Sequence, residues 1–136
     1  MTALERVDPP ALCQPVQGLY TQVVIAPAGR TAYVAGQVAL DAAGELVGPG
    51  DYAAQARQAF RNVRLALEGV GAKPADLVRH NIYVVDHRPE LVSVIFGAAQ
   101  EAYGDPWPLA ASTLLGVQAL GLPGWLIEVE ATALLP

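Results

Sequence analysis

The alternation of apolar and polar residues is clearest near the C-terminal end of the chain. Over residues 125–134, Ile127 and Val129 alternate with Glu128 and Glu130, which is the period-two pattern of a strand with one buried face. Segments rich in β-branched and apolar residues predict four further strands, at residues 19–26, 31–39, 78–85 and 109–117. A short turn sequence, PAGR, joins the first two of these, so we expect them to pair as a hairpin.

Two other segments have the spacing of amphipathic helices. Residues 52–70 carry Phe60, Val63 and Leu67 at intervals of three and four. Residues 89–103 repeat the pattern and begin with a proline, which suits a first helical turn. The order ββαβαββ predicts an α+β domain in which two helices cover one face of a sheet. The opposite face is left for neighbouring subunits.

Residues 1–136 are predicted to form one domain, in which residues 1–17 are an extended N-terminal arm because Pro9, Pro10 and Pro15 interrupt any periodicity. A hydrophobic content of 53% with only 15% charged residues is unusually apolar for a small domain. Apolar surface of that extent is normally buried between subunits, so we expect an oligomer.

Charge and cysteine content narrow the classes of function. The net charge of −5 opposes binding to a phosphate backbone, so we expect no nucleic-acid partner. Cys13 is the single cysteine, which excludes an internal disulfide and a thiolate metal cluster. No apolar run approaches the roughly 20 residues of a membrane helix. The first residues also lack the pattern of a signal peptide, so a cytoplasmic location without membrane contact is expected.

Spacing alone offers little candidate chemistry. Glu128 and Glu130 leave the same face of the last strand, where two carboxylates can divide acid and base roles or orient a water. A solvated strand face or a hydrogen-bonded interface pair is the more common use of such residues. His80 is expected in the core or an interface, and the arginines of the first helix are expected in solvent.

Four segments resemble motifs of one protein family. Residues 18–22, GLYTQ, are similar to its G-P-Y-S-Q, and residues 34–37, VAGQ, are similar to its S-G-Q. Gln55 and Asn62 match two positions of its helix signature, and residues 127–133, IEVEATA, are similar to its I-E-I-E-A-I-A. The motifs occur in order across nearly the whole chain. The chain therefore resembles the Rid family, also called RidA/YjgF or endoribonuclease L-PSP.

The resemblance implies a chorismate-mutase-like (YjgF-like) α+β fold with a mixed β-sheet, assembled as a homotrimer with a small-molecule pocket between subunits. In active family members, an arginine of a P-A-R-[ST] motif binds the carboxylate of a 2-imino or 2-enamino acid. A glutamate of the last strand helps to place the water that hydrolyses the imine to a 2-keto acid and ammonia, without a metal or organic cofactor. By this resemblance the catalytic positions are Glu128 and Tyr20, and the substrate-binding positions are Ala35, Gly36, Gln37, Phe96, Ser112 and Thr113.

The chain departs from the family's pattern where the substrate carboxylate would bind. The segment AAST aligns with P-A-R-[ST] and puts Ser112 at the position of the arginine. Ala35 replaces the serine of S-G-Q, and Phe96 falls near a family asparagine. Loss of a bidentate guanidinium contact typically costs about 2–5 kcal/mol, or roughly 30- to several-thousand-fold in rate. Arg79 and Arg88 are the candidates for a substitute charge.

Three functions remain open. The first is a Rid-type trimer whose altered pocket binds or hydrolyses a less anionic small molecule, such as a neutral imine or enamine, as a cofactor-free hydrolase. The second is a weak 2-iminobutanoate/2-iminopropanoate deaminase. The third is a non-catalytic small-molecule-binding or interaction module. Endoribonuclease activity is the least favoured because the chain is acidic and has no basic groove.

Overall fold

Two helices lie on one face of a four-stranded sheet in the computed structural model, which describes residues 3–136. In chain order the strands are β1 (Glu5–Val7), β2 (Val23–Ile25), β3 (Thr31–Gln37), β4 (Leu77–Val85), β5 (Ala111–Val117) and β6 (Ile127–Leu134). The helices are α1 (Tyr52–Glu68) and α2 (Leu91–Tyr103), and short 3₁₀ turns occupy Val16–Gly18 and Pro74–Asp76. The predicted α+β class is confirmed.

The main sheet has the strand order β3-β6-β4-β5. Strand β6 is antiparallel to both of its neighbours, whereas β4 and β5 are parallel. A parallel pair needs a crossover connection, and α2 supplies it between β4 and β5. The sheet is therefore mixed, as the resemblance implied.

The predicted hairpin between residues 19–26 and 31–39 is wrong. Strand β2 pairs with β1, with Val23 opposite Val7, and β3 pairs with β6 instead. The turn between β2 and β3 is hydrogen-bonded to the C-terminal end of the chain instead, because the Leu135 amide donates to the Arg30 carbonyl at 2.9 Å. Within the predicted arm, β1 is thus a short strand; Met1 and Thr2 lie outside the described residues.

The core lies between the helices and the sheet. Its largest fully buried side chains include Phe60 and Leu67 of α1, Ile82 of β4 and Ile95 of α2. The opposite face of the sheet is not covered by any other element of the described chain, and Tyr33 on that face is 83% exposed. We call it the open face. Neither helix within residues 3–136 is long and apolar enough to cross a membrane.

The side-chain amides of two α1 residues, Gln55 and Asn62, form hydrogen bonds with the loops at one end of the sheet. Gln55 is fully buried; its Nε2 donates to the carbonyls of Gly48 and Gly124 at 3.2 and 3.0 Å, and its Oε1 accepts from the Leu126 amide at 2.9 Å. Asn62 Nδ2 donates to the carbonyls that follow β3. These bonds hold the end of β3 and the start of β6 in a fixed relation, which positions the cleft described next.

Candidate functional site

A cleft of about 590 Å³ opens where β3 ends beside α1 and the start of β6. Its lining includes Gly36, Gln37, Arg61, Leu65, Trp125 and Glu128. We call it the Glu128 cleft. The structure thus brings together three of the residues that the motif resemblance selected, from two different strands.

Glu128 fits into this cleft because residue 36 is a glycine. A Cβ at Gly36 would lie 3.0 Å from Glu128 Cγ and would overlap the carboxylate. The pairing of β3 with β6 shifts register between Val34 and Gln37, so the strand is irregular where the glutamate passes. Among residues 3–136, no group donates a hydrogen bond to the Glu128 carboxylate, which leaves both oxygens available to a water or a ligand.

A second cavity, of about 170 Å³, lies between α2, β5 and the turn that precedes β2. It is lined by Tyr20, Phe96 and Ser112 together with aliphatic side chains and Gln17, and no charged side chain takes part. We call it the Ser112 pocket. The Tyr20 hydroxyl oxygen accepts the Val16 amide proton at 3.2 Å, so the phenolic proton remains available for donation.

The two cavities are separated within one chain. Glu128 pairs with Tyr83, which pairs with Leu115, three residues beyond Ser112 on β5. Two inter-strand spacings and three steps along β5 place the Cα atoms of Glu128 and Ser112 about 14 Å apart. Ser112 also faces the helices, as does its pairing partner His80, whereas Glu128 is on the open face. One chain alone therefore keeps Glu128 apart from Ser112.

Thr113 and the candidate substitute arginines lie outside both cavities. Arg79 is on the open face and donates from Nη2 to Thr113 Oγ1 at 3.1 Å. Arg88 is at the exposed turn after β4, where Asp86 lies 3.7 Å away. Ala35 is exposed on β3, next to Gly36.

Comparison with known proteins gives the family. A family model described as Endoribonuclease L-PSP matches residues 13–135. The chain belongs to the Rid family. It is 32% identical over 118 residues to the 2-iminobutanoate/2-iminopropanoate deaminase of Rattus norvegicus, covering 85% of this chain and 80% of that protein. It is 31% identical over 117 residues to Protein DfrA of Myxococcus xanthus, covering 85% of each.

Solved structures give the same result for the fold. The Rid-family protein YyfB of Yersinia pestis, described as of unknown function, superposes with a TM-score of 0.88 and 41% identity over 97% of this chain and 98% of that chain. A member of the YjgF/YER057c/UK114 family from Mycobacterium tuberculosis has a TM-score of 0.63 and 34% identity, covering 85% and 86% of the two chains. The YjgF-like fold predicted from the motifs is confirmed.

The second carboxylate of β6 has a different environment in this Rid protein. Glu130 accepts hydrogen bonds from Asn81 Nδ2 at 3.1 Å and from the Tyr83 hydroxyl. The bonds from Tyr83 and Asn81 lower the pKa of Glu130, and the bond to Glu130 raises the pKa of Tyr83. Glu130 is thus an ionised acceptor that holds the side chains of Asn81 and Tyr83 on the open face. The Glu128 carboxylate accepts no hydrogen bond from the described residues.

His80 lies in the core of this Rid protein, beside Ser112 in the sheet. Its ring is stacked on Tyr103 at a centroid distance of 6.2 Å and meets the edge of Phe60 at 6.3 Å. Burial, and to a smaller extent the charge of Arg79, lowers the pKa of His80 to about 4. The imidazole is therefore neutral at pH 7, and the prediction of a core residue is confirmed.

Arg61 and Trp125 are the cleft residues that sequence reasoning missed. Arg61 is exposed, as expected for the arginines of α1, and it also lines the Glu128 cleft because the loop after β3 folds against that side of the helix. One signal was present in the sequence. Arg64 has Glu68 one turn later, whereas Arg61 has Leu65 there.

Proposed function

We propose that this Rid protein is a cofactor-free hydrolase of imines or enamines whose specificity is shifted away from small 2-imino acids. The observation that carries the proposal is the contrast between an available carboxylate in the Glu128 cleft and a Ser112 pocket without a charged side chain. Relatives named 2-iminobutanoate/2-iminopropanoate deaminase, at about 30% identity, support the class of reaction.

A complete site would join the Glu128 cleft of one copy to the Ser112 pocket of another. Two different surfaces meet in such a contact, and a heterologous contact closes into a ring when the rotation between successive copies divides a full turn. A homotrimer, which the family resemblance implies, is the ring that we expect. The exposed apolar side chains of the open face, Tyr33 and Leu115 among them, support burial between copies.

In this proposal Glu128 acts as the general base. Its carboxylate takes a proton from a water as the water oxygen bonds to the imine carbon, and the C=N bond becomes a C–N single bond. That proton passes to the nitrogen and gives a carbinolamine. Glu128 then takes the proton of the new hydroxyl group and returns it to the nitrogen as the C–N bond breaks, so the C–O bond becomes a carbonyl and ammonia or an amine leaves. The available proton of Tyr20 is suited to hydrogen-bond the substrate nitrogen or the new hydroxyl group.

Specificity in the proposal follows from the Ser112 pocket. A carboxylate placed there would lose its water and gain only neutral donors such as the hydroxyl of Ser112 and the amide of Gln17. The missing charge-assisted pair is worth about 2–5 kcal/mol. Substrates whose atoms in this pocket are uncharged, such as neutral imines or enamines, are therefore favoured over 2-imino acids.

A weak 2-imino acid deaminase is the second candidate, since Tyr20 and Glu128 match the family's positions and the deaminase relatives cover most of this chain. A non-catalytic binding module is the third. We expect no nucleic-acid partner and a cytoplasmic location for all three, on the sequence arguments above.

One assay separates the three candidates. An amino-acid oxidase generates 2-imino acids, or an oxidase acting on a primary amine that has no carboxylate supplies a neutral imine. Semicarbazide traps the imine that is not hydrolysed. The proposal expects reduced trapping of the neutral imine by the wild type and not by Glu128→Ala. Equal or greater activity on 2-imino acids would favour the second candidate. No effect on any imine would leave the binding module.

A further inference from the structure

We propose that Arg61 binds an anionic group of the ligand in the Glu128 cleft, and that the substrates are imines or enamines whose anion is remote from the imine carbon. This rests on the proposed function and names its substrate class. The family motif would place the anion-binding arginine at position 112, and the sequence offered Arg79 and Arg88 as substitutes. The contact environment of the α1 arginines singles out Arg61 instead.

The neighbouring arginines of the same helix have carboxylate partners. Arg57 Nε lies 2.6 Å from Glu101 Oε2, and Arg64 Nη1 lies 2.6 Å from Glu68 Oε1. Among residues 3–136, no carboxylate lies within 4.0 Å of a nitrogen of Arg61. Arg61 is thus the α1 arginine that faces the cleft with its charge uncompensated by a close ion pair.

The remaining charges of the cleft restrict what Arg61 can bind. Asp41 also lines it, but its Oδ1 accepts the amide protons of Ala43 and Glu45, both at 2.9 Å, and so belongs to its loop. The charged residues that line the cleft are therefore one cation, Arg61, and two anions, Asp41 and Glu128. Such a cleft does not attract anions in general. Its charge pattern fits a molecule that presents one carboxylate to Arg61 and an uncharged imine carbon beside Glu128.

Size and apolar lining indicate where the body of the ligand lies. A cavity of about 590 Å³ is within the usual range for complete small-molecule sites, roughly 300–1,000 Å³, whereas about 170 Å³ for the Ser112 pocket is below it. Leu65 and Trp125 add apolar surface to the lining of the same cleft. A 2-imino acid carries its carboxylate on the imine carbon itself. Glu128 is on β6 and Arg61 is on α1, so a ligand that contacts both carries its anion away from the imine carbon.

Binding of stable keto analogues tests this without any hydrolysis. We would titrate the intact assembly with 4-oxopentanoate, whose carboxylate is remote from the carbonyl, with 2-oxobutanoate and with uncharged 2-pentanone, in wild type and in Arg61→Gln. The expected order of affinity is 4-oxopentanoate first, with a loss of roughly 10- to 100-fold in Arg61→Gln and no change for 2-pentanone. Arg57→Gln, one turn away and ion-paired, should remain within about twofold of wild type.

Arg61→Lys keeps a point charge without the planar fork and should fall between wild type and Arg61→Gln. Equal affinity of wild type and Arg61→Gln for 4-oxopentanoate would overturn the proposal, as would equal losses in the Arg57 and Arg61 variants. Wild type that prefers 2-pentanone or 2-oxobutanoate, or binds none of the three, would overturn it as well. Failure of the proposed function is a separate result, since it is read from Glu128-dependent hydrolysis.

Discussion

The Glu128 cleft and the Ser112 pocket differ in charge, in size and in how closely each follows the family's motifs. The cleft keeps the glycine, glutamine and glutamate of the motifs, and the side-chain amides of Gln55 and Asn62 in α1 hold its walls. The pocket keeps Tyr20 but has a serine where the motif alignment expects the arginine. The residues that match the motifs are therefore kept around Glu128, whereas the surroundings of Ser112 have lost the charged position that the motif alignment expects.

Loss of the Glu128 carboxylate is the change with the largest expected effect. Glu128→Gln keeps the shape of the side chain but cannot take a proton from water, so hydrolysis of a neutral imine should fall by about 10²- to 10⁴-fold. Initial rates of semicarbazide trapping measure this. Glu130→Gln, two residues along the same strand, should keep most of the activity because Glu130 is already bonded to Asn81 and Tyr83. Equal loss in both variants would show that the two carboxylates are not distinct.

A cation placed in the Ser112 pocket should shift the substrate preference toward 2-imino acids. Ser112→Arg is expected to raise hydrolysis of 2-imino acids by roughly 30-fold or more, which corresponds to about 2 kcal/mol or more of regained carboxylate binding. Ser93→Arg adds the same charge at an exposed position of α2 and should give no gain. If both variants behave alike, the absence of a guanidinium at residue 112 does not set the specificity.

The core beside Ser112 should make the fold sensitive to acid. Because the pKa of His80 falls from 6.5 in the unfolded chain to about 4 in the folded one, the unfolded chain binds the extra proton between those values. The free energy of unfolding therefore falls as the pH is lowered from 6.5 to 4, by up to about 3 kcal/mol. Urea unfolding at pH 7 and pH 4.5 measures the change. His80→Leu should lose that part of the pH dependence; an unchanged profile would contradict the assignment.

The Tyr20 hydroxyl should have the smallest effect of the four. Tyr20→Phe keeps the ring in the Ser112 pocket and removes a single donor, so kcat should fall by about 2- to 10-fold with no change in fold. Circular dichroism and steady-state rates on a neutral imine test this. A loss as large as that of Glu128→Gln would instead make Tyr20 a proton donor to the leaving nitrogen.

Local patterns in the sequence predicted the position of most helices and strands but not which strands pair with each other. The period-two pattern of residues 127–134 and the helical spacing around Phe60 are properties of adjacent residues, and both elements form where expected. The hairpin prediction failed because the partner of β3 is the C-terminal strand, about a hundred residues away. No short-range signal encodes that choice.

The sequence offered candidate residues for the site but not their arrangement in space. Motif resemblance selected Gly36 and Glu128, which meet, and Tyr20 and Ser112, which also meet. That the two pairs lie on opposite faces of the sheet depends on strand order and register, which motifs do not contain. Arg61 was missed because its place in the cleft depends on the loop after β3 folding against α1.

Subunit complementation tests the central claim, that Glu128 of one copy works with the Ser112 pocket of another. Glu128→Ala removes the base, and Tyr20→Ala removes the aromatic ring that lines the Ser112 pocket as well as its hydroxyl, so each protein is expected to have low activity alone. The two proteins are unfolded, mixed in equal amounts and refolded together. With random assembly, about a quarter of the contacts between copies join two intact half-sites, so activity on a neutral imine should rise toward a quarter of the wild-type value. Mixed oligomers that form, as seen by mass spectrometry, yet show no more activity than the separate variants would contradict the claim.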